Sequence, residues 1–320
     1  MIPTPESGMG YSVNKHNARF DAVCDWVEGI VIFGPEEKVS QSEIVDRLVE
    51  EEIYRDQDFA WEFVLDVWTE LRRRRYWIGT DQPLCVTSKS ITRTCKWEDS
   101  PADAFCMILT FAKWYPGWAS KFGHDYTTQG ELFEELTQAS LEVQFAGWEI
   151  HKTGWSRSNV SSLCSVVTEV AERLGEGIGQ LQPWTDPKAK EAGLDLLCYR
   201  PFPDRRVGIP VYLMQCASGE ADFEDKLRTP DLKIWEKLIV FTANPKKAFA
   251  TPLALMDDDF RRYCNIVDGM LMDRCRILAA GRHKRDWVPQ ALSNRITSWM
   301  EPRVRSLVYS ELSSSCEGQV

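Results

Sequence analysis

The sequence lacks long hydrophobic runs. No stretch approaches the roughly 20 consecutive apolar residues that a transmembrane helix needs, which excludes a helical membrane protein. Residues 1–8 also lack the basic segment and apolar core of a secretory signal. We therefore expect a cytoplasmic protein that does not associate with a membrane.

The sequence has no Cys-x-x-Cys pair, although it contains ten cysteines. Zinc ribbons and disulfide-rich scaffolds depend on closely spaced cysteines, so neither is expected. In a reducing compartment, cysteines inside apolar runs act as small core residues.

The glycine-rich segment 175–179 is not followed by a Lys-Ser or Lys-Thr pair, so we interpret it as a connection and not a phosphate-binding loop.

An excess of positive charge is also lacking, because the formal net charge is −10. Such a charge disfavours binding to an anionic partner. The distribution is uneven, however: residues 226–320 carry 16 Lys and Arg against 11 Asp and Glu, whereas residues 1–225 carry a net −15. Any basic surface is therefore expected in the last third of the chain.

The length and composition predict two globular domains. The chain has 320 residues, of which 43% are hydrophobic and 27% charged, values that are ordinary for folded proteins. A polar stretch at 127–130 suggests a boundary. We predict a mainly helical domain at 1–125, a second domain at 126–305 and a polar tail at 306–320.

The first domain begins with helical patterns. Ser40 and Glu43 form a capping-box pattern, and a second amphipathic helix is predicted from Phe59 to Arg75. Strand-like segments follow at 83–87 and 90–94. Two helices followed by a two-stranded wing resemble a winged-helix module.

Four consecutive arginines, Arg72 to Arg75, end the second predicted helix. Cations at the carboxyl end of a helix interact favourably with its dipole, so we favour a solvated structural role. The alternative is a patch that contacts phosphates. The acidic residues nearby argue against that alternative.

The second domain alternates between helical and strand patterns. We predict helices starting at Gly130 and spanning 159–174, 257–280 and 287–300, a helix containing Lys226, and strands at 148–151 and 237–241. Met270 to Arg276 is assigned to the helix at 257–280. The order predicts an α/β (α+β) fold with a mixed central sheet flanked by helices.

Two further short apolar runs, 194–199 and 211–217, are predicted as neighbouring buried strands. Asp195 lies in the first run and Gln215 near the end of the second. A buried polar side chain is costly unless it is paired, so these two residues require a partner or a function. Hydrolysis of a phosphodiester needs oxygen ligands for a divalent cation, and both residues offer them.

The helix motif Gly130-x-x-Phe133-Glu134 precedes the two strands that carry Asp195 and Gln215. Together they form a pattern that resembles the PD-(D/E)xK, or restriction endonuclease-like, nuclease superfamily over roughly residues 128–245. More narrowly, it resembles the Mrr-like branches in which glutamine replaces the last acid. The resemblance implies that Glu134, Asp195 and Gln215 bind Mg²⁺ or Mn²⁺. The usual lysine position is occupied by Ala217, so Lys226 is the candidate for that role.

The resemblance implies a metal-dependent endonuclease acting on DNA, in bacterial restriction or antiphage defence. Two other functions stay open. The glutamine, the displaced lysine and the negative charge favour a catalytically silent scaffold that binds a protein partner or another copy of itself. The winged-helix-like part, with Arg72 to Arg75, favours a DNA-binding regulator.

Overall fold

The computed structural model describes residues 2–10, 18–80, 82–123, 125–153, 163–180, 193–219 and 223–309. The chain divides into two compact units, Met1–His124 with Pro289–Val320, and Asp125–Val288. The segment from residue 289 therefore groups with the first unit, whereas the sequence suggested that the second domain extends to residue 305. No helix in the described ranges is long and apolar enough to cross a membrane.

The first unit combines helices with a small antiparallel sheet of strand order β1-β3-β2. Its elements are α1 (Phe20–Phe33), β1 (Lys38–Ser40), α2 (Gln41–Glu50), α3 (Gln57–Ile78), β2 (Leu84–Val86), β3 (Ser90–Arg93), α4 (Pro101–Trp114), α5 (Pro116–Ser120) and α12 (Gln290–Tyr309). The predicted capping box is confirmed, since Ser40 and Glu43 satisfy each other's backbone N–H groups. Strand β1 was not predicted from the sequence, because a segment of three residues is too short to show the alternation of apolar and polar side chains that marks a strand.

The arginine run is not a solvated surface feature, and in this respect the sequence-based expectation is wrong. Arg74 is 1% exposed, and its Nη1 lies 2.8 Å from Asp25 Oδ1 and 2.9 Å from Glu28 Oε2, both on α1. Arg75 is also buried and pairs with Glu28 at 3.6 Å. Of the four arginines only Arg72 is exposed, so the run cannot act together as a patch for phosphates.

The second unit is built around a five-stranded mixed sheet of order β10-β9-β7-β6-β4. Strands β4, β6 and β7 pair antiparallel, whereas β7, β9 and β10 run parallel. Its elements are α6 (Tyr126–Gln144), β4 (Glu149–Lys152), α7 (Leu163–Leu174), β5 (Gly177–Ile178), β6 (Leu196–Tyr199), β7 (Val211–Cys216), α8 (Phe223–Lys226), α9 (Leu232–Leu238), β8 (Ile239–Val240), β9 (Lys246–Ala250), α10 (Asp257–Val267), β10 (Gly269–Met272) and α11 (Arg274–Leu278).

Alternation of side chains along β6 and β7 gives the sheet two different faces. On one face, Leu197 and Leu213 join an apolar cluster with residues of α7 and with Trp235 of α9. Helix α6 contacts β4 and β7, and its Gln138 Nε2 donates to Ile150 O at 3.2 Å. The expected mixed α+β architecture with a helix-flanked sheet is therefore observed.

Several predicted elements differ from the structure. The segment at 237–241 finishes α9 and forms only the short strand β8, which pairs with β5 in a separate two-stranded sheet. The glycine-rich segment 175–179, which the sequence indicated as a connection, therefore contains strand β5. The predicted helix 257–280 is broken at Asp268, whose left-handed φ of 51° ends α10 before β10. Residues 159–162 and the tail from 310 lie outside the described residues, and α12 continues to Tyr309 where the tail was expected.

The buried charge cluster around Arg74 should control the stability of the first unit. Replacing Arg74 by Met leaves Asp25 and Glu28 without their shared partner in an apolar environment. We expect a loss of about 3–5 kcal/mol in the free energy of unfolding. Urea denaturation followed by tryptophan fluorescence measures this loss.

Arg72→Met on the same helix is the matched control, because Arg72 is exposed. It should change the free energy of unfolding by no more than about 0.5 kcal/mol. Equal urea midpoints for Arg74→Met and Arg72→Met would show that the buried charge cluster contributes little to stability.

Candidate metal-binding site

Asp195 lies immediately before β6, where the neighbouring strands fix its backbone. Its N–H donates to Met214 O at 2.9 Å, and its carbonyl oxygen accepts from Thr153 N at 3.0 Å. Thr153 Oγ1 also donates to Leu194 O at 2.5 Å. Because Leu194 and Leu196 on either side are buried, Asp195 cannot move without disturbing the core.

The Asp195 carboxylate is held by two donors from the adjacent strand β7. Its Oδ2 accepts from Cys216 N at 2.6 Å and from Gln215 Nε2 at 2.5 Å. Hydrogen bonds from a backbone N–H and a side-chain amide stabilise the ionised form of a carboxylate. The two polar residues that stood out in the sequence are therefore partners of each other.

Gln215 is 9% exposed and uses both ends of its amide. Besides Asp195, its Nε2 donates to Cys216 O at 3.2 Å, while its Oε1 accepts from Thr229 Oγ1 at 3.3 Å. A Cβ atom on Gly193 would lie 2.8 Å from Gln215 Oε1. The carbonyl oxygen therefore faces Thr229, and it would reach a cation at Asp195 only after a turn of the amide group.

Glu134 reaches the same region from α6. Phe133 beside it is fully buried, whereas the Glu134 side chain stays 19% exposed. Burial, and next the neighbouring Asp195 carboxylate, raise the pKa of Glu134 to about 8, against the opposing effect of Lys152. Glu134 and Asp195 thus form a pair of carboxylates that repel each other in a poorly solvated place.

The pKa of Asp195 is also raised by burial, to about 6. The hydrogen bond from Cys216 N, the charge of Lys226, the amide of Gln215 and the charge of Lys152 all act in the opposite direction. Lys226, at the end of α8, therefore acts on Asp195 through space. Its carbonyl oxygen accepts from Thr229 Oγ1 at 2.8 Å, so one threonine contacts both Lys226 and Gln215.

The sequence did not predict two residues of this region, Lys152 and Thr229. Lys152 is the last residue of β4 and pairs with Leu196 in the register, next to Asp195. Its Nζ lies 3.9 Å from Glu134 Oε2 and 3.2 Å from Glu135 Oε1. Only the pairing of β4 with β6 could have revealed it, and no local pattern specifies that pairing.

The residues present suit a hard divalent cation that keeps much of its water. Among the described residues, no group of three or more His, Cys, Asp or Glu could hold a metal ion. Mg²⁺ is commonly bound through one or two carboxylates together with substrate phosphates. Glu134 and Asp195 provide that ligand set, and a cation between them would relieve their repulsion.

Comparison of the chain with models of protein families, with curated proteins and with solved structures gave no match.

The raised pKa of Glu134 makes a prediction about stability. A carboxyl group whose pKa is higher in the folded than in the unfolded protein stabilises the fold at low pH. That contribution is lost as the pH rises from about 4.5 through about 8. Glu134→Gln removes the titration, so in EDTA the variant should exceed the wild type in stability at pH 9 but not at pH 5.

Each unit of pKa shift corresponds to about 1.4 kcal/mol, so the gain at pH 9 should be of the order of a few kcal/mol. Urea denaturation at both pH values measures it. Glu135→Gln, one residue away, is the control and should show no such gain. If the free energy of unfolding changed with pH in the same way in Glu134→Gln and in the wild type, the assigned environment of Glu134 would be wrong.

Proposed function

We propose that this chain is a metal-dependent nuclease that hydrolyses phosphodiester bonds of DNA, with Glu134 and Asp195 as ligands of Mg²⁺ or Mn²⁺. One observation carries the proposal. Two carboxylates from separate elements meet at the end of a buried sheet, with lysines beside them. Carboxylates that hold a cation, next to cations that face a phosphate, are what phosphodiester hydrolysis requires.

The arrangement of elements supports the proposed relation to the PD-(D/E)xK superfamily. Glu134 lies on α6, Asp195 at the start of β6, and Gln215 on the adjacent strand β7. This is the order of helix, strand and next strand that the resemblance implies. In the first unit, the order α1-β1-α2-α3-β2-β3 similarly supports a winged-helix module.

Each residue has a separate task in the proposed reaction. When bound, Mg²⁺ would supply positive charge and a more acidic water molecule. Glu134 and Asp195 hold it, and Gln215 keeps Asp195 oriented through the bond to Oδ2. The lysines offset the negative charge that the two carboxylates would otherwise present to an approaching phosphate.

DNA as the substrate is supported by the charge of the second half of the second unit, where residues 226–288 carry 13 Lys and Arg against 8 Asp and Glu. Arg228, Lys233 and Lys237 are exposed there, beside the exposed acids Asp231 and Glu236. Such basic side chains bind the nucleic acid backbone regardless of sequence. In contrast, Arg74 and Arg75 are buried, which removes the observation that favoured a regulator binding DNA through Arg72 to Arg75. Bacterial restriction or antiphage defence is the corresponding biological role that we propose.

A second candidate function is a silent scaffold that binds a protein partner or a second copy of the chain. The observation that favours it is the orientation of Gln215, whose amide nitrogen and not its oxygen faces Asp195. A hydrogen bond between the two residues stabilises the site without any cation.

Cleavage assays distinguish the two functions. Supercoiled plasmid and single-stranded DNA are incubated with the protein and Mg²⁺ or Mn²⁺. We expect cutting that requires the metal and falls by about 100-fold or more in Asp195→Asn, since even outer-shell changes at metal sites cost 10–100-fold. Asn keeps the size of the side chain but removes its charge.

Asp204→Asn is the matched control, because Asp204 is an exposed carboxylate in a turn of the same unit. It should cut like the wild type. If the wild type cuts neither substrate with either metal, the nuclease proposal fails and the scaffold is favoured.

A further inference from the structure

We propose that Lys152, on β4, is the catalytic cation of this site, in the role that the sequence pattern gave to Lys226. The inference rests on the proposed nuclease function and assigns a residue within it. Its basis is the contact of Lys152 with Glu134 and its place next to Asp195 in the sheet, together with the surroundings of the two alternative positions, 217 and 226.

The backbone of β4 holds Lys152 next to Asp195. Lys152 pairs with Leu196 across the antiparallel strands, and the following residue, Thr153, donates its N–H to Asp195 O at 3.0 Å. Thr153 Oγ1 also binds Leu194 O. These bonds directly beside the pair fix the register, so Lys152 and Asp195 keep their relative positions.

The Lys152 ammonium lies beside Glu134, one of the two candidate ligands. Its Nζ is 3.9 Å from Glu134 Oε2, and its side chain is 24% exposed. It also lowers the pKa of both Glu134 and Asp195. An amino group with this placement is close enough to a cation at Glu134 to contact a phosphate bound there.

Position 217 cannot supply the cation in this chain. Ala217 is fully buried in an apolar cluster with Phe223, Leu227 and Phe249. A lysine at this position would bury its charge among aromatic and aliphatic side chains, at a large desolvation cost. Ala217 therefore suits the packing after β7. The lysine that the superfamily pattern has at this position must come from another element of the fold.

Lys226 acts on Asp195 more strongly than Lys152 does. Within the described part of the chain, however, Lys226 forms no ion pair with Glu134, whereas Lys152 pairs with Glu134 at 3.9 Å. Lys226 is also followed by exposed cations on the adjoining segment. Its position suits contact with the nucleic acid backbone beyond the scissile phosphate.

The hydrolytic step defines what Lys152 does. A water oxygen forms a bond to phosphorus while the bond from phosphorus to the leaving oxygen breaks. The proton of the attacking water passes to solvent, and the leaving oxygen takes up a proton from solvent. Lys152 keeps its own protons and donates hydrogen bonds to a phosphoryl oxygen as negative charge grows on it.

Kinetics of plasmid cleavage with Mg²⁺ test the assignment. Lys152→Met should lower kcat by about 100-fold to 1000-fold, as loss of one donor to a transition state does, with KM changed by less than about threefold. Lys152→Arg should recover part of kcat. Lys226→Met should mainly raise KM and lower kcat by less than about tenfold.

The variant Glu135→Gln distinguishes a catalytic role of Lys152 from a purely structural one. It breaks the shortest ion pair of Lys152 but keeps the ammonium, so cleavage should stay within about threefold of the wild type. If Lys152 only fastens β4 to α6, Glu135→Gln would lose as much activity as Lys152→Met, which would overturn the proposal. Should Lys152→Met fail to fold, Lys152→Gln provides the same comparison.

The outcomes separate this inference from the nuclease proposal. Metal-dependent cutting by the wild type, retained at full kcat in Lys152→Met, would overturn the role of Lys152 and leave the nuclease proposal standing. A wild type that cuts no substrate overturns both. A loss of kcat confined to the Lys152 variants supports both.

Discussion

The second unit holds two carboxylates of the same charge close together in a place where little water reaches them. Burial and mutual repulsion raise the pKa of Glu134 to about 8, and burial raises that of Asp195 to about 6. Such a pair is stable only if a proton or a cation compensates the charge. The proposed metal site follows from this constraint, and so does the presence of Lys152 beside the pair.

The sheet supplies the groups that keep Asp195 in this environment. Strand β4 binds its carbonyl oxygen through Thr153, and β7 binds its carboxylate through Cys216 N and Gln215. The glutamine adds donors without a third negative charge. The site is therefore less repulsive at rest than one with three acids, and Lys152 beside Glu134 offsets part of the remaining negative charge.

Asp195 and Gln215 could be predicted because a polar residue in a short apolar strand is conspicuous. Glu134 followed only from resemblance, since a carboxylate on a helix is ordinary by itself. Lys152 and the burial of Arg74 depend on pairings across long stretches of chain, of Lys152 with Leu196 and of Arg74 with Asp25, which no local pattern specifies. Strand β10 was predicted as helix because only Asp268 separates it from the end of α10 at Val267.

Diffraction from crystals soaked in Mn²⁺ above pH 8, where Glu134 is ionised, tests the site most directly. An anomalous peak between the Glu134 and Asp195 carboxylates, lost in Asp195→Asn crystals, is the result expected. Full Mn²⁺ occupancy elsewhere, with none between these two carboxylates, would contradict the account.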